Sequence, residues 1–229
     1  MEWIEDYDLF LFDFDGLLVN TEMLHFAAYK QMCLNRGFHL DWNFSKYIET
    51  AHYSSEGLEN RIYNEFPDLK QIEGNWKVLY KEKKAALIDM YRNGPISLMP
   101  GAEELLRNIL EHSKKIAVVT NSDSELVKII RERNPLLDAI PNWITRELYT
   151  EAKPHPECYV KAIESLAEVN DVIIGFEDTP RGLRALLGSR ARAVIITDMD
   201  YPEIPDFITA GVAHYKSFED IPAAGPKPG

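Results

Sequence analysis

The amino-acid sequence predicts an α/β protein, in which a parallel sheet carries helices on both faces and a small helical block is inserted after the first strand. Three observations lead to this fold class. Short apolar runs alternate with amphipathic helical segments from residue 96 onward, which is typical of a parallel sheet. A further apolar run at residues 8–12 has no strand-like neighbour and therefore joins the same sheet. Between residues 20 and 95 no strand-like run occurs.

The N-terminal part of the chain contains one strand followed by helices. The strand at residues 8–12 is a short apolar run with aromatic content after a turn-like aspartate. A helix is predicted over residues 21–36, because apolar residues recur at helical spacing and Gly37 is a good stop signal. Further helices follow in two segments, SEGLENRIYNEF, which ends at Pro67, and NWKVLYKEKKAALIDMYRN, which ends at Gly94-Pro95.

The C-terminal part alternates between the two kinds of element. Strands are predicted at residues 115–120, 171–176 and 192–197, with short candidates in NWITREL and GVAHY. Helices are predicted in the segments PGAEELLRNILEHS, SELVKIIRER, PECYVKAIESLAEV and TPRGLRALLGS. The chain is therefore divided into an α/β core of residues 1–18 and 95–222, a helical cap domain of residues 19–94 and a disordered tail of residues 223–229.

Composition narrows the classes of partner. The 229 residues include 45% apolar and 27% charged residues, an ordinary globular balance, and the formal net charge is −12. Nucleic-acid binders and proteins that bind anionic membranes need a basic face, so we expect neither nucleic acid nor membrane as partner. A small anionic substrate stays possible, because a metal ion and one lysine can reverse the local field.

Cysteine usage and the N-terminus bear on the compartment. The two cysteines, Cys33 and Cys158, lie far apart without metal-ligand spacing and are interpreted as reduced thiols. The first eight residues are acidic, and Asp13 and Asp15 interrupt the apolar stretch that follows, so neither a signal peptide nor a membrane span fits. We expect a cytoplasmic protein, either a monomer or a weak homodimer.

Polar side chains follow three of the predicted strands. Asp13 and Asp15 come after the first strand, Thr120-Asn121-Ser122 after the second, and Glu177-Asp178 after the third. Each segment alone is also typical of a turn or a helix cap. Together, however, they meet at one edge of a parallel sheet, the edge where open α/β sheets bind ligands. Clustered carboxylates repel one another, and an all-oxygen cluster suits a hard cation such as Mg²⁺.

Four segments resemble the motifs of the haloacid dehalogenase-like hydrolases. DFDGLLVNTE is similar to the first motif of that family, VVTNS to the second, AKPHPECY to the third and IGFEDTPRGLRA to the fourth. Their order and spacing match over nearly the whole chain, and the helical insertion resembles the small cap of the β-phosphoglucomutase-like branch. The resemblance implies a Rossmann-like core with an inserted cap.

The resemblance also implies roles for individual residues. Asp13 would be the nucleophile that forms an aspartyl phosphate, and Asp15 the general acid and then the general base. Lys153 would neutralise charge on Asp13 and on the phosphate. The phosphoryl oxygens would be bound by Thr120, Asn121 and Lys153. Mg²⁺ would be held by Asp13, the backbone carbonyl of Asp15, Asp178 and Glu177.

Three positions depart from the family pattern without removing a catalytic group: Leu17, Asn20 and Ala152. The function expected is that of a Mg²⁺-dependent phosphatase that acts on a small phosphorylated metabolite. A sugar-phosphate mutase is the alternative, although Ser54 stands where such mutases use an arginine and Arg61 comes later. A dehalogenase would lack Asp15, and a phosphoacceptor receiver would lack the helical cap. A non-catalytic protein that binds a phosphorylated metabolite is a more distant alternative.

Several residues of the helical block are expected to be structural. His25 is interpreted as the partner of a structural hydrogen bond. The larger side chains are expected to belong mostly to the core of the block: Trp42, His52, Tyr53 and Trp76. Three lysines are expected on a solvated face: Lys81, Lys83 and Lys84.

Overall fold

The computed structural model describes residues 1–53 and 55–227, the side chains of residues 55 and 56 excepted. The chain forms two compact units. One comprises Met1–Asn20 with Ser97–Gly229 and is called the core unit below, and the other comprises Thr21–Ile96 and is called the helical unit. The unit boundaries lie two residues after those expected from the sequence.

The core unit is built on a sheet of six parallel strands in the order β3-β2-β1-β4-β5-β6. Leu9 in β1 pairs with Lys115 on one side and with Ile173 on the other, so the first strand of the chain is central. All four residues of β1 are buried, because helices cover both faces of the sheet. The predicted α/β fold class is confirmed. The strands are β1 Leu9–Phe12, β2 Lys115–Val119, β3 Asn142–Ile144, β4 Ile173–Glu177, β5 Arg192–Ile196 and β6 Ala213–Tyr215.

The helical unit contains no strand among its described residues, 21–53 and 55–96. Its helices are α1 Glu22–Asn35, α2 Phe44–Ala51, α3 Ser55–Glu65, α4 Pro67–Ile72 and α5 Trp76–Asn93. Pro67 begins α4 instead of only ending the helix before it, because the first helical position has no need of a backbone N–H. A largely aromatic core fills the unit, and Phe26 stacks on Tyr47 within it at 4.9 Å between ring centroids.

The expectation that Lys83 lies on a solvated face is wrong. Lys83 is only 2% exposed, and its Nζ lies 3.0 Å from His25 Nδ1. The ammonium also lies 4.9 Å from the ring centroid of Tyr29. Nε2 of His25 is 2.8 Å from the hydroxyl of Tyr91, so this histidine makes a structural hydrogen bond as predicted. A long aliphatic stem allows lysine to be buried where its head group finds acceptors and an aromatic face.

The helices of the core unit follow the strands in sequence. They are α6 Ala102–Glu111, α7 Ser124–Arg131, α8 Pro135–Asp138, α9 Glu157–Leu166, α10 Pro180–Leu187 and α11 Ile204–Thr209. Both cysteines are buried free thiols. Among the described residues, no helix is both long enough and apolar enough to cross a bilayer.

The C-terminal segment departs from the expectation of a disordered tail as far as residue 227. Arg192 donates to the carbonyl of Pro226 at 2.7 Å, and the backbone N–H of Lys227 donates to the hydroxyl of Tyr215 at 3.1 Å. Gly225 has φ of 84° and packs so closely on Trp3 that an added Cβ would lie 2.6 Å from the tryptophan Cβ. These side-chain partners, distant in sequence, hold a segment that its composition alone predicts to be unstructured. The last two residues lie outside the described part of the chain.

Candidate active site

The carboxyl ends of three adjacent strands bring the predicted polar residues to one edge of the sheet. Asp13 continues β1, and its backbone N–H donates to the carbonyl of Phe176 in β4 at 3.0 Å. Thr120 continues β2 in the same way, with its N–H donating to the carbonyl of Ile144 at 2.9 Å. Asp13, Thr120, Glu177 and Asp178 are all buried. The strand order β2-β1-β4 therefore places these groups side by side.

Lys153 supplies positive charge at this edge. Lys153 lies in the loop before α9 and is 6% exposed. Its Nζ donates to Asp13 Oδ1 at 2.5 Å and to Glu177 Oε1 at 2.7 Å. The carbonyl oxygen of Val119 and the hydroxyl of Tyr159 lie 2.8 Å and 3.2 Å from the same nitrogen. The ammonium is thus enclosed by oxygen atoms, and it holds two carboxylates that arrive from neighbouring strands.

The pKa values of Asp13 and Lys153 are set by burial and by the carboxylates that surround them. Burial raises the pKa of Asp13 to about 8; Glu177 and Asp15 add to the increase, and Lys153 opposes it. Burial alone would lower the pKa of Lys153, yet the carboxylates of Asp13 and Glu177 hold it well above its usual value. Lys153 is therefore charged, and its single positive charge does not balance the two carboxylates that it contacts, Asp13 and Glu177.

Glu177 is packed more tightly than the other carboxylates. It is 1% exposed, and Tyr159 donates from its hydroxyl to Glu177 Oε1 at 2.5 Å. Burial and the nearby Glu177 raise the pKa of Tyr159 well above its usual value, so the phenol keeps its proton for this bond. The other side of the carboxylate lies against Gly182 in α10, where an added Cβ would come within 2.0 Å of Oε2.

Three carboxylates fit a divalent cation. Asp13, Glu177 and Asp178 each offer an oxygen, and these oxygens lie within 4.8 Å of one another. An all-oxygen donor set with net negative charge suits a hard cation of the Mg²⁺ type. Burial, with the nearby Glu177 and Asp15, raises the pKa of Asp13, and a cation held by these oxygens would oppose that increase.

Asp15 has different partners from Asp13. The hydroxyl of Ser122 donates to Asp15 Oδ2 at 2.6 Å, and the hydroxyl of Thr120 lies 3.5 Å from the same oxygen. The backbone N–H of Ser122 donates to Thr120 Oγ1 at 2.9 Å. The turn that follows Asp15 is made possible by Gly16, which has φ of 83°. The two aspartates of the DFD segment therefore lie in separate hydrogen-bonding environments.

Asn121 has its side chain directed to the scaffold. Its Oδ1 accepts from the backbone N–H of Lys153 at 3.3 Å and lies 2.7 Å from the hydroxyl of Tyr149. The same hydroxyl lies 2.7 Å from the carbonyl of Thr120. Through this oxygen the Asn121 side chain links the second strand to the lysine loop.

Sequence reasoning assigned no role to four residues of the site: Ser122, Tyr149, Tyr159 and Gly182. Ser122 stood inside the quoted segment VVTNS, and its polar side chain was the available signal. Tyr159 follows Lys153 by six residues, which places it in α9 but gives no indication that its hydroxyl turns toward Glu177. Glycine in the first turn of a helix was the signal at Gly182, because glycine there usually marks a close approach.

Comparison with known proteins points to the same family as the sequence motifs. Residues 10–196 match the family model described as haloacid dehalogenase-like hydrolase. Protein CbbY of Rhodobacter capsulatus is 25% identical over 205 residues, which cover 87% of this chain and 89% of that protein. A phosphorylated carbohydrates phosphatase of Thermotoga maritima is 26% identical over 180 residues, with coverage of 76% and 78%.

A solved structure shares the fold. The crystal structure of a CbbY mutant from Rhodobacter sphaeroides in complex with xylulose-(1,5)bisphosphate superposes with a TM-score of 0.73 at 20% sequence identity. The match covers 94% of this chain and 96% of the other.

Proposed function

The chain belongs to the haloacid dehalogenase-like hydrolases, and on that premise we propose that it is a Mg²⁺-dependent phosphatase of a small phosphorylated metabolite. The substrate class proposed is a sugar phosphate. It is supported by one relative that is a phosphorylated carbohydrates phosphatase, and by a CbbY mutant of similar fold that was solved in complex with xylulose-(1,5)bisphosphate.

The observation that carries the proposal is the contact between Lys153 Nζ and Asp13 Oδ1 at 2.5 Å. An ammonium has donors only, so it stabilises Asp13 as the carboxylate, which is the form able to attack phosphorus. It also brings positive charge to the place where a phosphoryl group would develop negative charge. Phosphoryl transfer depends mostly on such positioning and charge stabilisation.

The reaction proposed has two halves. In the first, an oxygen of Asp13 forms a bond to phosphorus, the ester P–O bond breaks, and the leaving oxygen takes a proton from Asp15. In the second, water attacks the aspartyl phosphate and gives a proton to Asp15, and the bond between phosphorus and Asp13 breaks with its electron pair returning to the carboxylate. Inorganic phosphate leaves, and both aspartates are restored.

The metal proposed would be held by the carboxylates of Asp13, Glu177 and Asp178, with the backbone carbonyl of Asp15 as a further ligand. When bound, Mg²⁺ supplies charge neutralisation between an anionic nucleophile and an anionic substrate. Lys153, Thr120 and the backbone at Asn121 would bind the phosphoryl oxygens.

A panel of phosphorylated sugars, nucleotides and small acids, assayed with Mg²⁺ for release of inorganic phosphate, tests the proposal. We expect turnover of at least one sugar phosphate and its loss in Asp13→Asn, because an amide is no nucleophile. Asp8→Asn is the matched control: Asp8 lies at the opposite end of β1, accepts from the N–H of Val172 at 2.8 Å, and keeps an acceptor oxygen as asparagine. Full turnover by Asp13→Asn would contradict the assignment of the nucleophile.

The same assay separates a phosphatase from a sugar-phosphate mutase. A mutase needs a cationic group for a second phosphoryl group, and the sequence position that bears on this, Ser54, lies outside the described residues. Arg61 is engaged within the helical unit, where its guanidinium donates to Thr50 Oγ1 at 2.6 Å. We therefore expect one phosphate released per substrate consumed. Conversion of β-glucose 1-phosphate to glucose 6-phosphate with little free phosphate would favour the mutase.

A further inference from the structure

The two aspartates at the end of β1 are held by partners of different chemical kinds. Asp13 is bound by the ammonium of Lys153, which can only donate hydrogen bonds. Asp15 is bound by the hydroxyl of Ser122 at 2.6 Å. A hydroxyl can donate to a carboxylate, and it can accept from a carboxylic acid without a change of position.

We propose that Ser122 is the positioning residue of the acid–base aspartate, holding Asp15 in one orientation in both of its protonation states. This inference rests on the proposed function, in which Asp15 gives a proton to the leaving oxygen and takes one from water. A donor-only partner would favour the ionised form, so that less Asp15 would carry the proton that the first transfer needs and the second transfer would be opposed. The serine hydroxyl can follow the proton by rotating its own hydrogen.

The backbone of Ser122 adds a second connection. Its N–H donates to Thr120 Oγ1 at 2.9 Å and so fills one acceptor position of the threonine hydroxyl. Thr120 Oγ1 lies 3.5 Å from Asp15 Oδ2, too far for a strong bond. Of these two hydroxyls, that of Ser122 makes the shorter bond to Asp15, and replacing the serine side chain leaves its backbone bond to Thr120 in place.

The leaving group of the substrate distinguishes this role from a structural one. An alkyl phosphate needs a proton on its leaving oxygen, because an alkoxide is a poor leaving group. p-Nitrophenyl phosphate needs little such help, because nitrophenolate is stable near neutral pH. A variant that misplaces Asp15 must therefore lose kcat/KM on alkyl esters far more than on p-nitrophenyl phosphate.

The experiment compares Ser122→Ala with wild type on p-nitrophenyl phosphate and on the best alkyl phosphate of the panel, with Mg²⁺. We expect kcat/KM for the alkyl ester to fall at least about tenfold, which is part of the factor of about 10²–10⁴ that a positioned acid contributes, and to change less than about twofold for the aryl ester. Ser122→Thr keeps a hydroxyl and is expected to recover activity on the alkyl ester.

Ser124→Ala is the matched control, since it removes a hydroxyl two residues away that donates to Glu147 at 3.1 Å. It is expected to leave both values unchanged. Equal losses on both esters, or no loss on either, would overturn the role of Ser122 while leaving the phosphatase intact. A wild-type protein that hydrolyses no phosphate ester would instead contradict the proposed function, and this inference would fall with it.

Discussion

A missing methyl group at position 182 makes room for the carboxylate of Glu177. An added Cβ would lie 2.0 Å from Oε2 and 2.3 Å from the carboxyl carbon, well inside contact distance. Glycine is required here for space, because Gly182 lies in a regular helix and its φ is not positive. Gly182 therefore determines where the Glu177 carboxylate can lie, and Glu177 in turn holds the ammonium of Lys153.

Gly182→Ala sets two effects against each other. Alanine in place of glycine in a helix favours folding by about 1 kcal/mol. Overpacking against a buried carboxylate costs about 1–3 kcal/mol and displaces Glu177 from Lys153 and Tyr159. We expect the second effect to win, so that urea unfolding shows a lower free energy of unfolding and the activity falls.

The Glu177→Ala background is the control for that prediction. Without the carboxylate the added methyl group has space, so Gly182→Ala is expected to be neutral or stabilising there, and the two changes should couple in a double-mutant cycle. A Gly182→Ala variant as stable as wild type would contradict the steric argument.

At this scale the sequence predicted which residues gather at the sheet edge but not how they bond. The strand ends and the family resemblance pointed to Asp13, Lys153, Glu177 and Asp178. The bond between Ser122 and Asp15 joins residues 107 apart in sequence, and no local pattern encodes it. The catalytic and metal-binding roles of these residues stay predictions.

At the scale of elements, Lys83 links α5 to α1 through His25. We expect Lys83→Ala to lower the free energy of unfolding by about 1–3 kcal/mol, because His25 Nδ1 loses this buried partner and the lysine stem leaves a void. Lys81→Ala is the control on the same helix; Lys81 is exposed, and its loss is expected to change stability by less than about 0.5 kcal/mol. Chemical denaturation measures the free energy of unfolding of both variants. Equal values would show that the burial of Lys83 does not contribute to stability.

The first turn of α9 holds the chain that leads to Lys153. The carboxylate of Glu157 accepts from the backbone N–H of Glu151 at 2.7 Å and of Thr150 at 3.1 Å, and it pairs with Lys161 at 2.8 Å. The bond from Lys161 and those two backbone bonds lower the pKa of Glu157 from 4.5 to about 2. The contribution to stability is therefore present above pH 4.5 and is lost as the pH falls toward 2.

Glu157→Gln is expected to be less stable than wild type at pH 7, with the difference shrinking as the pH is lowered from 4.5 toward 2. Urea unfolding midpoints across that range measure this difference, at low and at high salt, because the ion pair with Lys161 is partly exposed and salt screening weakens it. Glu164→Gln, on the exposed side of the same helix, is the control and should not show this pH dependence. A constant difference at every pH would contradict the assignment to the carboxylate charge.

Elements with a long repeating pattern were predicted well, and some short helices were not. The alternation of strands and helices from residue 96 onward is confirmed in the sheet. Short helices such as α4, with six residues, offer fewer than two turns of periodicity, so Pro67 was interpreted only as a stop. The burial of Lys83 was missed because three lysines close in sequence, Lys81, Lys83 and Lys84, suggest a solvent-exposed face. The contact with His25 in α1 that buries Lys83 cannot be seen in the sequence.

For the whole molecule, the acidic cluster predicts that a bound cation adds to stability. We expect Mg²⁺ to raise the melting temperature of wild type, since an ion that binds only the folded state at 100 times its Kd adds about 2.7 kcal/mol. Asp178→Asn should reduce the shift by removing one carboxylate of the cluster. Asp206→Asn makes the same change of charge at an exposed site on α11 and should keep the wild-type shift. Equal shifts in all three proteins would indicate only a general ionic effect.

The fold class could be predicted from the sequence, but the order of the strands in the sheet could not. Apolar runs indicate the strands and helical periodicity indicates the helices, and their alternation is enough to predict the α/β class. The order β3-β2-β1-β4-β5-β6 depends on which strands pair, and strands of similar apolar character carry little information about their partners.

The central position of β1 has a consequence for the making of the protein. This strand is synthesised first, yet its two neighbours in the sheet begin at Lys115 and Ile173. At a ribosomal rate of roughly 5–20 residues per second, its four apolar side chains wait many seconds for their second partner. The helical unit, whose chain is continuous from Thr21 to Ile96, emerges complete in that interval. In a nascent chain of this protein the apolar strand β1 is therefore unpaired for the whole of that interval, which is the stage of translation at which we expect aggregation through this strand to be easiest.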